Sequence, residues 1–170
     1  MGTKTASVTL EGEALRFAGR SGSGHAVAID DVNGDTGVRP SELVPMALAG
    51  CTAMDVVSIL RKKRQRVSRY EVLARGIQRD EPPAVFTRID VTHVVHGFEV
   101  DPEAVRRAIE LSATRYCAVG ATLASGLTEI HHAYVLCDAD GVELRREEVV
   151  VLGPAGRIGG ETPQLVETPA

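Results

Sequence analysis

Apolar residues at the start of the chain come in short, partly alternating runs. Residues 5–10 and 14–18 are two of them, divided by Glu11-Gly12-Glu13, and this predicts an antiparallel hairpin. Residues 19–24, rich in Gly and Ser, read as a turn into a third strand over 25–30, and 31–37 has the Asn, Asp and Gly content of a loop. The period then changes. Residues 41–65 predict a helix: Ser41 can cap it, Glu42 suits the positive end of its dipole, and Arg61-Lys62-Lys63-Arg64 suits the negative end. Pro45 falls in the first turn, where a missing amide hydrogen is tolerated. From Leu43 to Leu60 the clearly polar residues are Thr52, Asp55 and Ser58, so a central, buried helix is expected.

Strand patterns resume over 70–77 and 86–96, joined through Asp80-Glu81-Pro82-Pro83. In the second, Ile89, Val91 and Val95 alternate with Arg88, Asp90 and Thr92, which predicts an antiparallel sheet with one wet side. Asp101-Pro102-Glu103 announces a second helix, whose apolar stripe (Val105, Ala108, Ile109) extends to Tyr116-Cys117. Residues 118–124 form a short helix candidate, 128–137 a strand and 143–152 a candidate extra strand. Runs of strands and helices, rather than strict alternation, indicate α+β architecture. The last ten or so residues, in a stretch rich in Gly, Pro and Thr, are expected to be disordered.

Composition narrows the function. At 170 residues, 44% hydrophobic, the chain can bury a real core as one domain. A net charge of -4 and a pI near 5.7 argue against a nucleic-acid surface, so the basic cluster 61–64 reads as a solvated helix end. No apolar run is expected to reach the roughly 20 residues of a membrane span. Met1-Gly2-Thr3-Lys4 does not open a cationic-then-apolar signal segment, and a cytoplasmic, reducing location is expected. Gly22 and Gly24 lack dinucleotide spacing or a Walker lysine and read as a hairpin turn. His93 and His96, three apart on a strand, fall on opposite faces and read as surface or satisfied histidines rather than metal ligands.

In a reducing compartment Cys51, Cys117 and Cys137 read as small buried hydrophobes or as redox catalysts, not structural disulfides. Cys137, ending an apolar strand, stays with the first reading. Cys51 and Cys117 differ in context: small residues crowd each sulfur, in Ala49-Gly50-Cys51-Thr52-Ala53 and Tyr116-Cys117-Ala118. Neither context has a zinc-ligand spacing, so thiol redox chemistry without metal or cofactor is the expectation. Such chemistry needs a thiolate, and a free cysteine, with a pKa of about 8.5, is mostly protonated at neutral pH. Burial raises that value, and Cys51 lies over two turns into its helix, away from the N-terminus. An arginine from elsewhere, able to stabilise the thiolate, is therefore required. Asp55, one turn after Cys51, is a candidate hydrogen-bond acceptor or dimer contact.

Pro40-Ser41-Glu42-Leu43 with Leu48-Ala49-Gly50-Cys51-Thr52-Ala53-Met54-Asp55-Val56-Val57, followed later by Ala108-Ile109-Glu110-Leu111-Ser112 and Tyr116-Cys117, resembles the two cysteine motifs of the OsmC/Ohr family of osmotically induced and organic hydroperoxide resistance proteins. Ser23-Gly24-His25 and Ile59-Leu60-Arg61-Lys62-Lys63-Arg64-Gln65 are similar to its YhfA-like branch. The resemblance covers about residues 3–137. It implies an OsmC-like domain over 1–138 and a C-terminal extension over 139–170. It also implies antiparallel sheets wrapped around a long central helix in an intertwined homodimer, with active sites at the dimer interface.

The implied activity is reduction of organic hydroperoxides. Cys51 would become a sulfenic acid and Cys117 would condense with it to a disulfide, which a thiol or lipoyl-type reductant reopens. Arg20 sits where hydroperoxide-resistance members carry their activating arginine, and Arg39 competes for the role. Those members hold the arginine with a glutamate directly after the motif proline, where this chain has Ser41; Glu42 is one residue, about 100° of helix, further on. The same cysteine pair also fits a non-enzymatic redox sensor or a small-molecule-binding dimer.

Overall fold

In the computed structural model, which describes residues 2–154, the chain divides into an N-terminal unit ending at Val44 and a larger unit beginning at Pro45. The expected disorder of the tail falls on residues outside those described.

The N-terminal unit holds three antiparallel strands in the order β1 (Ala6–Leu10), β2 (Phe17–Ser21), β3 (Ala26–Ile29). The second strand begins later than expected, at Phe17, and continues through Gly19 and Arg20, which the sequence placed in a turn. The reason is packing: a Cβ on Gly19 would lie 3.0 and 3.1 Å from Ile29 and Val27, so a bare backbone lets β3 close over it. Only Gly22-Ser23-Gly24 turns, with Gly24 at φ +89. A short 3-10 turn, Pro40–Glu42, follows.

α1 (Leu43–Lys62) begins at the end of this unit and runs on in the larger one. Its buried residues are Leu48, Thr52, Val56 and Leu60, a single stripe at i, i+4 spacing. The long central helix is found as expected; within one chain its burial is confined to that stripe, and Met46 is 54% and Met54 77% exposed. Pro40–Lys62, whose most apolar 18-residue window has a mean hydropathy of 1.8, is also long and apolar enough, by length and composition, to cross a membrane. That corrects the expectation that no run approaches that length; the three polar residues are too few to interrupt it.

The larger unit continues with β4 (Arg66–Gln78), β5 (Phe86–Phe98), α2 (Pro102–Leu111), a π-helical turn (Ser112–Tyr116), α3 (Ala118–Ala124), β6 (Glu129–Cys137) and β7 (Glu143–Leu152). The four strands form one sheet in chain order. β4 with β5 and β6 with β7 are antiparallel, as expected, but β5 and β6 run parallel. The helical segment between them returns the chain to the start of the sheet, which a parallel pair requires. Val56 and Leu60 of α1 pack with Val105 and Ile109 of α2 over Val95, Tyr134 and Leu136 of the sheet.

The other face is less wet than the alternation suggested. Asp90 and Thr92 are 1% and 2% exposed, because β5 has neighbours on both sides and the Arg88 Nε donates to Asp90 at 2.7 Å. His93 is a buried, satisfied histidine, the second of the two readings expected for it. In the tautomer that satisfies all three groups, the Tyr70 hydroxyl donates to its Nδ1 at 2.6 Å, and its Nε2 donates to Nδ1 of stacked His132 at 3.3 Å. His96 is half-buried on the opposite face.

Candidate functional site

The site is built from two segments of the larger unit. α1 carries Cys51 and Asp55, which share a face because they are four residues apart. The second segment is the end of α2. There the chain widens into the π-helical turn, in which the Cys117 amide donates to the Ser112 carbonyl at 2.9 Å. This local widening, a feature common at functional sites, stops α2 and leaves Cys117 in extended conformation at the cap of α3. The Gly120 amide donates to the Cys117 Sγ at 3.2 Å.

Cys51 Sγ, Cys117 Sγ and an Asp55 carboxylate oxygen all lie within 4.8 Å of one another. Cys51 is half-buried and Cys117 buried, and neither is in a disulfide. Burial pushes the Cys117 thiol well above the usual cysteine value, and its hydrogen bond to Cys51 adds to this; the nearby Cys51 and Asp55 charges act in the same direction, against the Gly120 amide. Cys117 is therefore held as a protonated thiol donating toward Cys51. Behind the sulfurs, the Thr52 hydroxyl donates to Ser112 at 3.0 Å and Ser112 donates to Asp55 at 3.0 Å.

The remaining sequence candidates lie in the N-terminal unit. Arg20 stands exposed on β2, opposite Ser7 and Ala26. Arg39 donates to Asp35 at 2.9 Å and lies 3.8 Å from Glu42, whose carboxylate also accepts from the Arg39 amide at 2.8 Å. Among the described residues the ion pair of Glu42 is with Arg39. Cys137 is buried at the end of β6. Thr52 and Ser112 were not singled out from sequence. Thr52 was visible as a polar break in an apolar helix, but nothing local to Ser112 signals its partners, which come from 57 and 60 positions away.

The model of the family described as OsmC-like protein matches residues 33–131, which contain both cysteine segments. The chain belongs to the OsmC-like family. Protein YhfA of Escherichia coli strain K12 is 43% identical over 122 residues, which is 72% of this chain and 90% of that protein. Among solved structures, a hypothetical protein from Aquifex aeolicus is similar at 25% identity and a TM-score of 0.72, covering 81% of this chain and 98% of that one. The organic hydroperoxide resistance protein OhrB of Bacillus subtilis shares the fold at a TM-score of 0.51 and 21% identity, over 76% of this chain and 97% of that one. The α+β OsmC-like fold expected from sequence is thus the fold found.

Proposed function

We propose that this OsmC-like protein is a thiol-dependent peroxidase for organic hydroperoxides, working in the cytoplasm as a homodimer. The observation that carries the reading is the approach of Cys51 and Cys117, within 4.8 Å, with only Cys51 partly open to solvent. The Cys51 thiolate attacks the distal peroxide oxygen; the O–O bond breaks, the sulfur is oxidised to a sulfenic acid, and the alkoxide takes a proton and leaves as an alcohol. The Cys117 sulfur then attacks the sulfenic sulfur, water leaves, and a Cys51–Cys117 disulfide forms. Two equivalents of thiol, or one lipoyl-type dithiol, return both cysteines to the reduced state. We assign the activating cation to Arg20, with Arg39 the competitor already engaged by Asp35 and Glu42. The exposed methionine-bearing face of α1 supports the dimer.

A second reading, a stoichiometric redox sensor, is favoured by one observation. Cys117 is buried, which shields that sulfur of a Cys51–Cys117 disulfide from an external reductant and so opposes turnover. Reduced protein mixed with cumene hydroperoxide and excess dithiol decides between them. Multiple turnovers that vanish in Cys51→Ser support the peroxidase; one oxidation per chain without turnover supports the sensor, and consumption unchanged in Cys51→Ser sinks both.

A further inference from the structure

We propose that Cys51, Cys117 and Asp55 also form a binding site for a soft divalent cation, with zinc as its type. Two sulfurs and a carboxylate oxygen within 4.8 Å of one another make the one such triad of potential ligands among the described residues. In tetrahedral zinc sites, metal–sulfur bonds of about 2.3 Å and metal–oxygen bonds of about 2.1 Å place ligand atoms roughly 3.5 to 3.8 Å apart. Closing the triad around a cation therefore takes movements on the order of 1 Å, within the reach of side-chain rotation about Cys51 and Asp55 on their common helix face.

The donor set is selective. Thiolate sulfur favours zinc over magnesium or calcium, which take oxygen ligands. Three protein ligands leave a fourth position for water, the arrangement of open rather than closed zinc sites. The outer contacts are in place as well: Ser112 donates to the Asp55 carboxylate and is itself held by Thr52, which fixes the orientation of the oxygen ligand. On binding, each thiol releases its proton to solvent as the metal–sulfur bond forms, and no electron moves. No compact motif marks this site, because the ligands are one i, i+4 pair and one distant residue. The consequence is competition: a sulfur bound to the cation is unavailable to an oxidant, so zinc and peroxide exclude one another at Cys51.

The proposal does not rest on the peroxidase reading, and its test contains no peroxide. Reduced, chelator-treated full-length protein is titrated with zinc against a chromogenic competitor, and separately with cobalt(II), whose visible spectrum reports ligand type. The expected result is one zinc per chain, a tetrahedral cobalt spectrum with sulfur-to-cobalt charge transfer, and loss of both in Cys51→Ser and Cys117→Ser. Asp55→Asn binds on the order of tenfold or more weakly, and Ser112→Ala weakens binding by a similar factor. Cys137→Ser keeps the full affinity. No zinc at one equivalent, a cobalt spectrum without thiolate bands, or equal affinity in the wild-type protein and Asp55→Asn overturns the proposal. The cobalt spectrum of the unmutated protein keeps it testable if a variant fails to fold.

Discussion

Ser112 donates a 3.0 Å hydrogen bond to Asp55 and accepts one at 3.0 Å from Thr52, so a single hydroxyl ties the turn before Cys117 to the helix bearing Cys51. Thr52 and Ser112 are both 0% exposed. Ser112→Ala leaves the Thr52 hydroxyl buried without a partner, and a cost of about 1–3 kcal/mol follows. Replacing both ends, in Thr52→Val with Ser112→Ala, removes the stranded group. The double variant should therefore cost less than the sum of the singles, by about 0.5 kcal/mol or more. Urea unfolding midpoints of the four proteins measure this, and strict additivity refutes it.

The two sulfurs should behave differently when one is missing. With Cys117→Ser, one equivalent of cumene hydroperoxide should leave a sulfenic acid on Cys51 that a dimedone probe traps, because the condensing thiol is gone. With Cys51→Ser, Cys117 is buried and held protonated, so neither adduct nor disulfide should form at that stoichiometry. Cys137→Ser should oxidise as the unmutated protein does. Peptide mass spectrometry separates the cases; a Cys117 adduct in the Cys51→Ser protein reverses the assignment of roles.

How much was legible beforehand differs between local and distant relationships. The helix over Leu43–Lys62 and the strands β4 to β7 were visible because apolar periodicity and caps such as Asp101-Pro102 are local signals. The parallel pairing of β5 with β6 was not, since alternation on Arg88–Val95 looks the same whatever the direction of the neighbour. Gly19 misled for a related reason. A glycine signals either a turn or a close approach, and only the position of Ile29 decides which. At the site, the motif contexts named Cys51 and Cys117. The thiol-raising burial of Cys117 and its hydroxyl network depend on the π-helical turn, which no residue of Ser112–Tyr116 announces.

Acid should destabilise the protein through its buried imidazoles. Burial, with the His132 charge adding to it, holds His93 well below its ordinary value, and burial with His131 brings His132 down to about 4. A histidine whose folded value is depressed binds its proton more readily unfolded. The stability from keeping it neutral is complete above pH of about 6.5 and is lost as pH falls toward the folded value. Below pH 6.5 the loss should reach about 1.4 kcal/mol per pH unit for each group. His132→Gln cannot titrate and should flatten the curve of unfolding free energy between pH 6.5 and 4. An equally steep curve in the variant counts against this origin.

Gly97 is predicted to be intolerant of any side chain. A Cβ there would overlap the Arg66 carbonyl oxygen and Val100 Cγ2, and the first is backbone of the paired strand and cannot rotate away. Gly97→Ala should therefore push β4 off register near its start, at a cost of a few kcal/mol. A lowered thermal midpoint checks this, and an unchanged one refutes it. Gly50 differs: in one chain its Cβ would meet nothing within 4 Å, but it shares the α1 face of Met46 and Met54, so under the proposed homodimer Gly50→Ala should lower the midpoint in a concentration-dependent way.

That dependence leads to the last expectation, which concerns the uncovered side of α1. Leu48, Thr52, Val56 and Leu60 bury one stripe, while Met54, 77% exposed, and Met46, 54% exposed, lie off it. A 20-residue helix with so little charge before Arg61 leaves apolar surface that a lone chain in water gains by covering. The proposed homodimer covers it with a second copy. Met54→Glu puts a charge where that copy would pack, and removing a carboxylate from water without a partner is costly enough to favour dissociation. Sedimentation should give about twice the chain mass of 18.1 kDa for the unmodified protein and a shift toward 18.1 kDa for Met54→Glu. A monomer before mutation, or a dimer that tolerates the glutamate without weakening, rules out packing through this face.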